Sequence, residues 1–238
     1  MSIAAGALRT LHRVQRQLSD LLERSARVPK HVAAGEGNAM KKIVVICNGG
    51  FGREMETYVQ EAYPKGSGYV LDRIQDLFPD DPFTPAPDEV FVVASGETGI
   101  KSALVRKIEA AGGTMLSVIH PTCYIAPSAK IGRGALLCPF AFVGPFSELA
   151  PHVTMNVHSG CGHDSKLGSF AIISPYASIS GSVELGEQVF MGTHSYVAPE
   201  KKVGAGSKIS AGAFAINDVP ENSLVTGNPG RIFQSYFA

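Results

Sequence analysis

The 238-residue chain carries no net charge, since 21 basic side chains face 21 acidic ones. That balance gives no electrostatic pull toward nucleic acid or an anionic membrane surface. No apolar run approaches the length of a bilayer span, so a transmembrane helix is not expected. Residues 1–8 are too short for a signal-peptide core, and Arg9 interrupts them. Cys47, Cys123, Cys138 and Cys161 form no Cys-x-x-Cys pair and read as reduced thiols in a cytoplasmic protein. What the chain does have is 26 glycines, 15 prolines and 45% hydrophobic residues. That is an ordinary globular composition for one or two domains, with unusually many corners.

From Ile119 onward one register dominates. Ile119, Ile125, Ile131, Leu137, Val143, Leu149, Met155, Cys161, Leu167, Ile173, Ile179, Leu185, Met191, Val197, Val203 and Ile209 stand six residues apart. All are aliphatic, Met or Cys, and the next residue is usually small. Period six matches neither a helix nor a flat alternating strand. A hexapeptide repeat reads as a parallel β-helix. Each hexad supplies a short strand and a corner, the aliphatic residue points inward, and the small residue lets the chain turn. Three hexads close a triangular coil of eighteen residues, so residues eighteen apart sit above one another at a spacing of about 4.8 Å. The hexapeptide form is the left-handed β-helix, an exception to right-handed crossovers.

The rest of the chain divides around this array. Residues 1–39 read as an N-terminal extension. Leu8, Leu11, Val14, Leu18 and Leu21 mark an amphipathic helix over 7–27, and 28–39 read as a linker. Met40 opens MKKIVVI like a natural chain start, which leaves a leader, a fusion remnant or a genuine extension open for what precedes it. Residues 40–118 alternate strand and helix as a Rossmann-like βαβ domain. Its expected strands are Lys42–Cys47, Val90–Ala94 and Met115–Ile119, and its helices Arg53–Ala62 and Gly99–Ala111. The β-helix takes 119–214 and a tail takes 215–238, the repeat decaying after Ile209. The expected fold class is thus an α/β N-terminal domain followed by an all-β left-handed parallel β-helix.

Two stretches could carry chemistry. The turn ICNGGFGRE keeps Gly49, Gly50 and Gly52, but Cys47 stands where a dinucleotide fingerprint has its first glycine. No clear acid ends a second strand, Asp72 being a weak candidate. NAD binding, a phosphate-facing turn and a plain strand-to-helix turn all remain open. His163, in GCGHDSKLG, is the third residue of its hexad and should point outward, with Asp164 able to orient its imidazole as a general base. One coil further lies Gly181, whose amide could stabilise an oxyanion. Cys161 occupies the inward position and reads as core filler. His158 and His194 stack two coils apart, too far to share a zinc ion. Arg231, in Gly227-Asn228-Pro229-Gly230-Arg231, could contact a phosphate.

The ordered segments IVVICNGGFGRE, FVVA, SVIHPTCYIAPSAKIGRG, GHDSKLGSF, SPYASISGSVELG and DVPENSLVTGNPGRI resemble the bacterial hexapeptide-repeat sugar O- and N-acetyltransferases. The resemblance covers residues 41–233, and the family includes sialic acid O-acetyltransferases and nucleotide-linked 4-amino-sugar N-acetyltransferases. It implies acetyl-CoA as co-substrate, a sugar or nucleotide-sugar as acceptor, and a homotrimer with sites between neighbouring coils. It also implies His163 as catalytic base beside Asp164, with the Gly181 amide meeting the acetyl carbonyl. Asn228, Pro229 and Arg231 would lie near coenzyme A, and Gly49, Gly50 and Gly52 near the nucleotide-sugar. No metal is implied. Two departures stand out. Ile172 occupies the place where the amino-sugar branch often has a second histidine, and that branch's acidic pair after the second strand is missing. The same fold also hosts gamma-class carbonic anhydrases, which makes a zinc-dependent hydratase the alternative. His158 and His163 match two of that family's metal histidines, but Thr122 stands at the third.

Overall fold

A computed structural model describes residues 40–47 and 49–235. The helix expected over 7–27 and the linker over 28–39 lie outside the described residues. Four parallel strands open the described chain: β1 (Lys41–Cys47), β2 (Tyr69–Asp76), β3 (Glu89–Ala94) and β4 (Thr114–Met115). Their order is β2-β1-β3-β4. The central strands β1 and β3 are apolar and buried from Ile43 and Val90 onward, as parallel strands between helices should be. Helix α1 (Phe51–Ala62) follows β1, and helix α2 (Thr98–Ala110) follows β3.

Two expectations here need correction. The segment Met115–Ile119 is not one strand. Thr114–Met115 pairs with β3, while Val118–Ile119 pairs with Leu136–Leu137 of the coil. Leu116 and Ser117 carry the chain from one sheet to the other. The second strand, β2, departs from the sequence expectation because none of its residues is buried and Asp72, Arg73 and Asp76 interrupt the apolar run.

Beyond Val118 the coil follows its arithmetic. A two-residue strand recurs every six residues through Phe214–Ala215, and every pairing joins residues eighteen apart, such as Gly160 with Ser178. The inward column from Leu137 to Ile209 is buried throughout. Each such side chain contributes about 1.5–3 kcal/mol by leaving water. The repeat runs one strand past Ile209, and then the last coil shortens by two residues. Lys208 pairs with Leu224, sixteen positions on. An antiparallel hairpin, Leu224–Thr226 with Arg231–Phe233, closes the stack.

The corners differ from the sequence expectation. The chain turns at the residue three after the inward one, in a left-handed conformation. Phe140, His158, Asp164, Tyr176, Ser182 and His194 all have φ near +60°. None of these is glycine, so each position carries a cost that the surroundings offset. The offset is an extra rung: Asp164 N donates to Pro145 O at 3.0 Å, and Ser182 N to His163 O at 2.8 Å. The small residue after the inward one serves another purpose. A Cβ at Gly162 would run into the Ser180 carbonyl, and one at Gly168 into Gly186. Smallness there permits coils to stack.

One coil face is solvent-exposed and carries an alternating column of Lys130, Glu148, Lys166, Glu184 and Lys202. Lys130 bonds Glu148 at 2.7 Å, and Lys202 meets Glu184 at 3.1 Å. Another face, with Leu136, Thr154 and Ile172, is buried. Helix α2 packs there. The fully buried Lys101 donates to His152 O and to Thr154 Oγ1, and burial pushes its amine down to about 7. Arg133 pairs with Glu109 of the same helix.

His152 sits in this seam, 2% exposed and stacked on Phe170 at 5.0 Å. Neither ring nitrogen has a hydrogen-bond partner. Burial lowers its pKa to about 4; Glu109, 3.5 Å from Nε2, opposes that fall, while Lys101 and Arg133 add to it. The unfolded chain therefore takes up the proton first as pH falls from its ordinary value near 6.5. Stability should be full above pH 6.5 and decline toward pH 4, by an amount on the order of 2 kcal/mol. Urea unfolding of wild type and His152→Phe across pH 4–7 tests this. Phe stands at equivalent corners, and the variant's acid limb should be flatter; identical limbs would refute the assignment.

Candidate active site

The site is built at the corner after the strand Gly160–Cys161. Cys161 turns inward and is fully buried, and burial pushes its thiol up to about 11. It is core, with no thiolate to offer. After Gly162 the chain leaves the ladder, and the His163 side chain stands 62% exposed. Asp164, at φ 57°, accepts a hydrogen bond from His163 Nδ1 at 2.7 Å. A carboxylate oxygen accepts, so in the neutral ring the Nδ1–H tautomer fits this contact and Nε2 is the accepting nitrogen. One coil along, a Cβ at Gly181 would overlap His163 Nε2. Only a residue without a side chain leaves room for that end of the ring. Around Gly181 the ladder bonds run from Ser180 N to Val197 O and from Ser182 N to His163 O. The Gly181 N–H lies between them.

Sequence reasoning missed a brace under this corner. Ser165 is fully buried, and its hydroxyl donates to Ser180 O at 2.9 Å and accepts from Val183 N at 3.1 Å. Those two bonds span Gly181 and Ser182. The signal was readable: buried serines also recur four residues after the inward position at Ser147, Ser159, Ser195 and Ser207. Ser180 Oγ in turn hydrogen-bonds Tyr196 OH, and the Tyr196 ring meets Phe214 edge-on at 4.9 Å.

The structure brings His163, Asp164 and Gly181 together and leaves the other expected residues elsewhere. Asn228, Pro229 and Arg231 lie on the terminal hairpin, with Arg231 exposed. That hairpin is tied to Phe214 by Gly230 N to Phe214 O, 2.8 Å. Gly49 and Gly50 lie in the β1–α1 turn, and Gly52 in the first turn of α1. A Cβ at Gly49 or Gly50 would meet open space, whereas one at Gly52 would strike Cys47, so Gly52 lets helix and strand approach. Among the described residues no hydrogen bond or ring contact joins this turn to His163.

The turn stands at the carboxyl edge of the parallel sheet, where the order reverses between β1 and β3. In open α/β sheets that switch point is where ligands bind. Cys47, Asp76 and Ala94 end three adjacent strands there. Asp76, and not Asp72, is the acid that ends the second strand; its Oδ1 lies 3.7 Å from Cys47 Sγ. Asp72 sits mid-strand, paired with Arg73 at 2.6 Å.

On the edge before the His163 strand, Phe140, His158, Tyr176 and His194 stack ring on ring at 4.8–4.9 Å. His158 and His194 sandwich Tyr176. Tyr124, Phe142 and Phe146 are further exposed aromatics of the first coils. No three His, Cys, Asp or Glu residues are grouped to hold a metal ion among the described residues. Nor is any described helix long and apolar enough to cross a membrane.

No protein-family profile and no curated protein sequence matches the chain. Solved structures do. The fold is similar to hexapeptide-repeat sugar acetyltransferases over about four-fifths of the chain. The acetyltransferase domain of PglB from Neisseria gonorrhoeae is 28% identical, with a TM-score of 0.70, covering 81% of this chain and 100% of that one. The same domain in complex with acetyl coenzyme A is 27% identical, with a TM-score of 0.68, covering 81% and 99%. PerB from Caulobacter crescentus, in complex with CoA and GDP-perosamine, is 24% identical, with a TM-score of 0.73, covering 82% and 98%; it shares the fold.

Gly181→Ala tests the corner without reference to activity. The added methyl should push the His163 ring off Asp164 while the coil stays folded. Nitrogen NMR of the imidazole reads the change: the Nδ1–H signal should be lost from the variant. An unchanged His163 tautomer would show that the ring does not depend on Gly181.

Proposed function

We propose that this chain is an acetyl-CoA-dependent acetyltransferase that acts on an amine or hydroxyl of a sugar, free or nucleotide-linked, on a left-handed β-helix. The observation that carries the reading is the His163–Asp164 pair beside Gly181. Asp164 holds Nδ1–H, which leaves Nε2 as the accepting nitrogen of the neutral ring, beside Gly181 of the next coil. The attacking amine or hydroxyl adds to the thioester carbonyl, and Nε2 takes its proton. The Gly181 N–H faces the developing oxyanion. Collapse of the tetrahedral intermediate expels the thiolate of coenzyme A, which takes the proton from His163. No covalent enzyme intermediate is required.

The finer assignments follow from position. Arg231, beside Asn228 and Pro229 on the terminal hairpin, suits a phosphate of coenzyme A. The open turn at Gly49, Gly50 and Gly52, with Asp76 on the same sheet edge, suits the nucleotide or sugar end of the acceptor. The reported PglB and PerB complexes support acetyl-CoA and a nucleotide-linked amino sugar as the ligand classes. We further propose a homotrimer. The exposed stack of His158, Tyr176 and His194 is the kind of aromatic surface that interfaces bury. A second subunit there would close a cleft beside His163. Acetyl-CoA is made and used in the cytoplasm, which suits a cytoplasmic location.

Two measurements test this. His163→Ala should lower kcat by about 10²–10⁴-fold in a thiol-release assay over nucleotide-linked amino sugars, GDP-perosamine among them, and sialic acid. A variant with normal kcat removes His163 from the mechanism. Light scattering should give a mass of about 75 kDa, three times the 25.1 kDa chain. Tyr176→Glu should reduce that mass and the activity together, because an unpaired charge is costly to bury; an active wild-type monomer would sink the shared site.

A further inference from the structure

The C-terminal end of helix α1 is tied to the coil through a small cluster around the buried His120, whose ring also meets that of Tyr58 edge-on at 5.9 Å. His120 is 6% exposed, and its Nε2 hydrogen-bonds Glu61 Oε2 in the last turn of α1. On the other side, Nδ1 lies 2.7 Å from Thr122 Oγ1 and accepts the Thr122 N–H at 3.2 Å. Two donors converge on Nδ1, so the proton sits on Nε2 and is given to Glu61. Thr122 Oγ1 itself accepts Phe140 N–H at 3.0 Å. Phe140 is the first ring of the exposed stack, 4.8 Å from His158. A second tie, Tyr63 OH to Ser117 O, runs beside the first.

The connectivity Glu61–His120–Thr122 looks like a nucleophilic triad. The hydroxyl argues otherwise, for it donates to Nδ1 and accepts Phe140 N–H. In later coils that corner amide bonds a carbonyl of the coil before, as His158 N does with Pro139 O. Thr122 replaces that carbonyl in the first coil. The cluster is therefore a joint. At its far end α1 begins in the glycine turn, where Arg53 N bonds Gly50 O at 3.1 Å. Twelve helical residues make a stiff lever of about 18 Å. Glu61 and the glycine turn at Gly49 and Gly50 thus stand at opposite ends of one helix.

We propose that His120, held between Glu61 and Thr122, is a positioning residue that sets where the glycine turn stands relative to the coil, and so governs how tightly the sugar acceptor is held. The inference rests on the acetyltransferase reading above. His120 touches neither acetyl-CoA nor the reacting atoms.

The test is steady-state kinetics of the full-length protein, with acetyl-CoA and the best acceptor of the panel varied in turn. His120→Ala should raise KM for the acceptor by about tenfold, leave KM for acetyl-CoA within about twofold, and largely spare kcat at saturation. Glu61→Gln keeps an acceptor for Nε2–H and should behave like wild type, whereas Glu61→Ala should repeat the His120→Ala effect. Unchanged acceptor KM in both alanine variants would overturn the proposal, as would an equal loss with Glu61→Gln. Amide hydrogen exchange supplies a readout apart from activity. His120→Ala should speed exchange over 49–62 and leave 136–209 protected. If 49–62 is unaffected, the joint is refuted even where no panel sugar is turned over; if wild type transfers acetyl to none, the acetyltransferase reading fails by itself.

Discussion

Everything in the coil depends on one constraint: residue n must lie under residue n+18. The inward column sets that register, because an offset of even one residue would turn aliphatic side chains to water and corner residues to the core. Once it is fixed, the other columns inherit it. Small residues recur where backbones nearly touch, as at Gly162 and Gly168. Left-handed corners recur three residues on, each with a hydrogen bond to the coil before. Charges alternate from Lys130 to Lys202, so that each Lys neighbours a Glu and no like pair is adjacent.

The candidate site is a small local departure from this regularity. The His163 place of a hexad is held by proline in many other coils, as at Pro139, Pro145, Pro151 and Pro175. Here the partner of His163 in the next coil is glycine, which makes space for the ring, and its neighbour is an acid, which fixes the tautomer. Ser165 beneath them holds the next corner in shape from inside the core. The coil supplies rigidity, and the chemistry rests on a few residue choices at one corner.

Much of this was legible in the sequence because a periodic fold advertises itself. The hexads gave the coil, its eighteen-residue repeat and the juxtaposition of His163 with Gly181. The corner mechanism was not legible. Small residues mark close approach as readily as turning, and only backbone angles separate the two. Strand β2 was hidden because it is an edge strand with exposed charges, and with it went Asp76; the sequence showed no clear acid there, Asp72 being only a weak candidate. The split of Met115–Ile119 was equally invisible, since one apolar run serves two sheets in succession. Ser165 belonged to a pattern that was present but fainter than the aliphatic one.

The terminal hairpin has a consequence for solubility. A stack of parallel coils is open-ended, and each end offers unpaired backbone to any strand that arrives, including another copy of the same stack. Here the last coil is shortened by two residues and followed by a strand running the opposite way, Arg231–Phe233 against Leu224–Thr226. On one of the three sheets the reversal pairs Leu224–Thr226 with a strand whose direction no further coil can continue. Ile232 folds in against the core beneath it. A change of strand direction thus opposes end-to-end growth along this sheet.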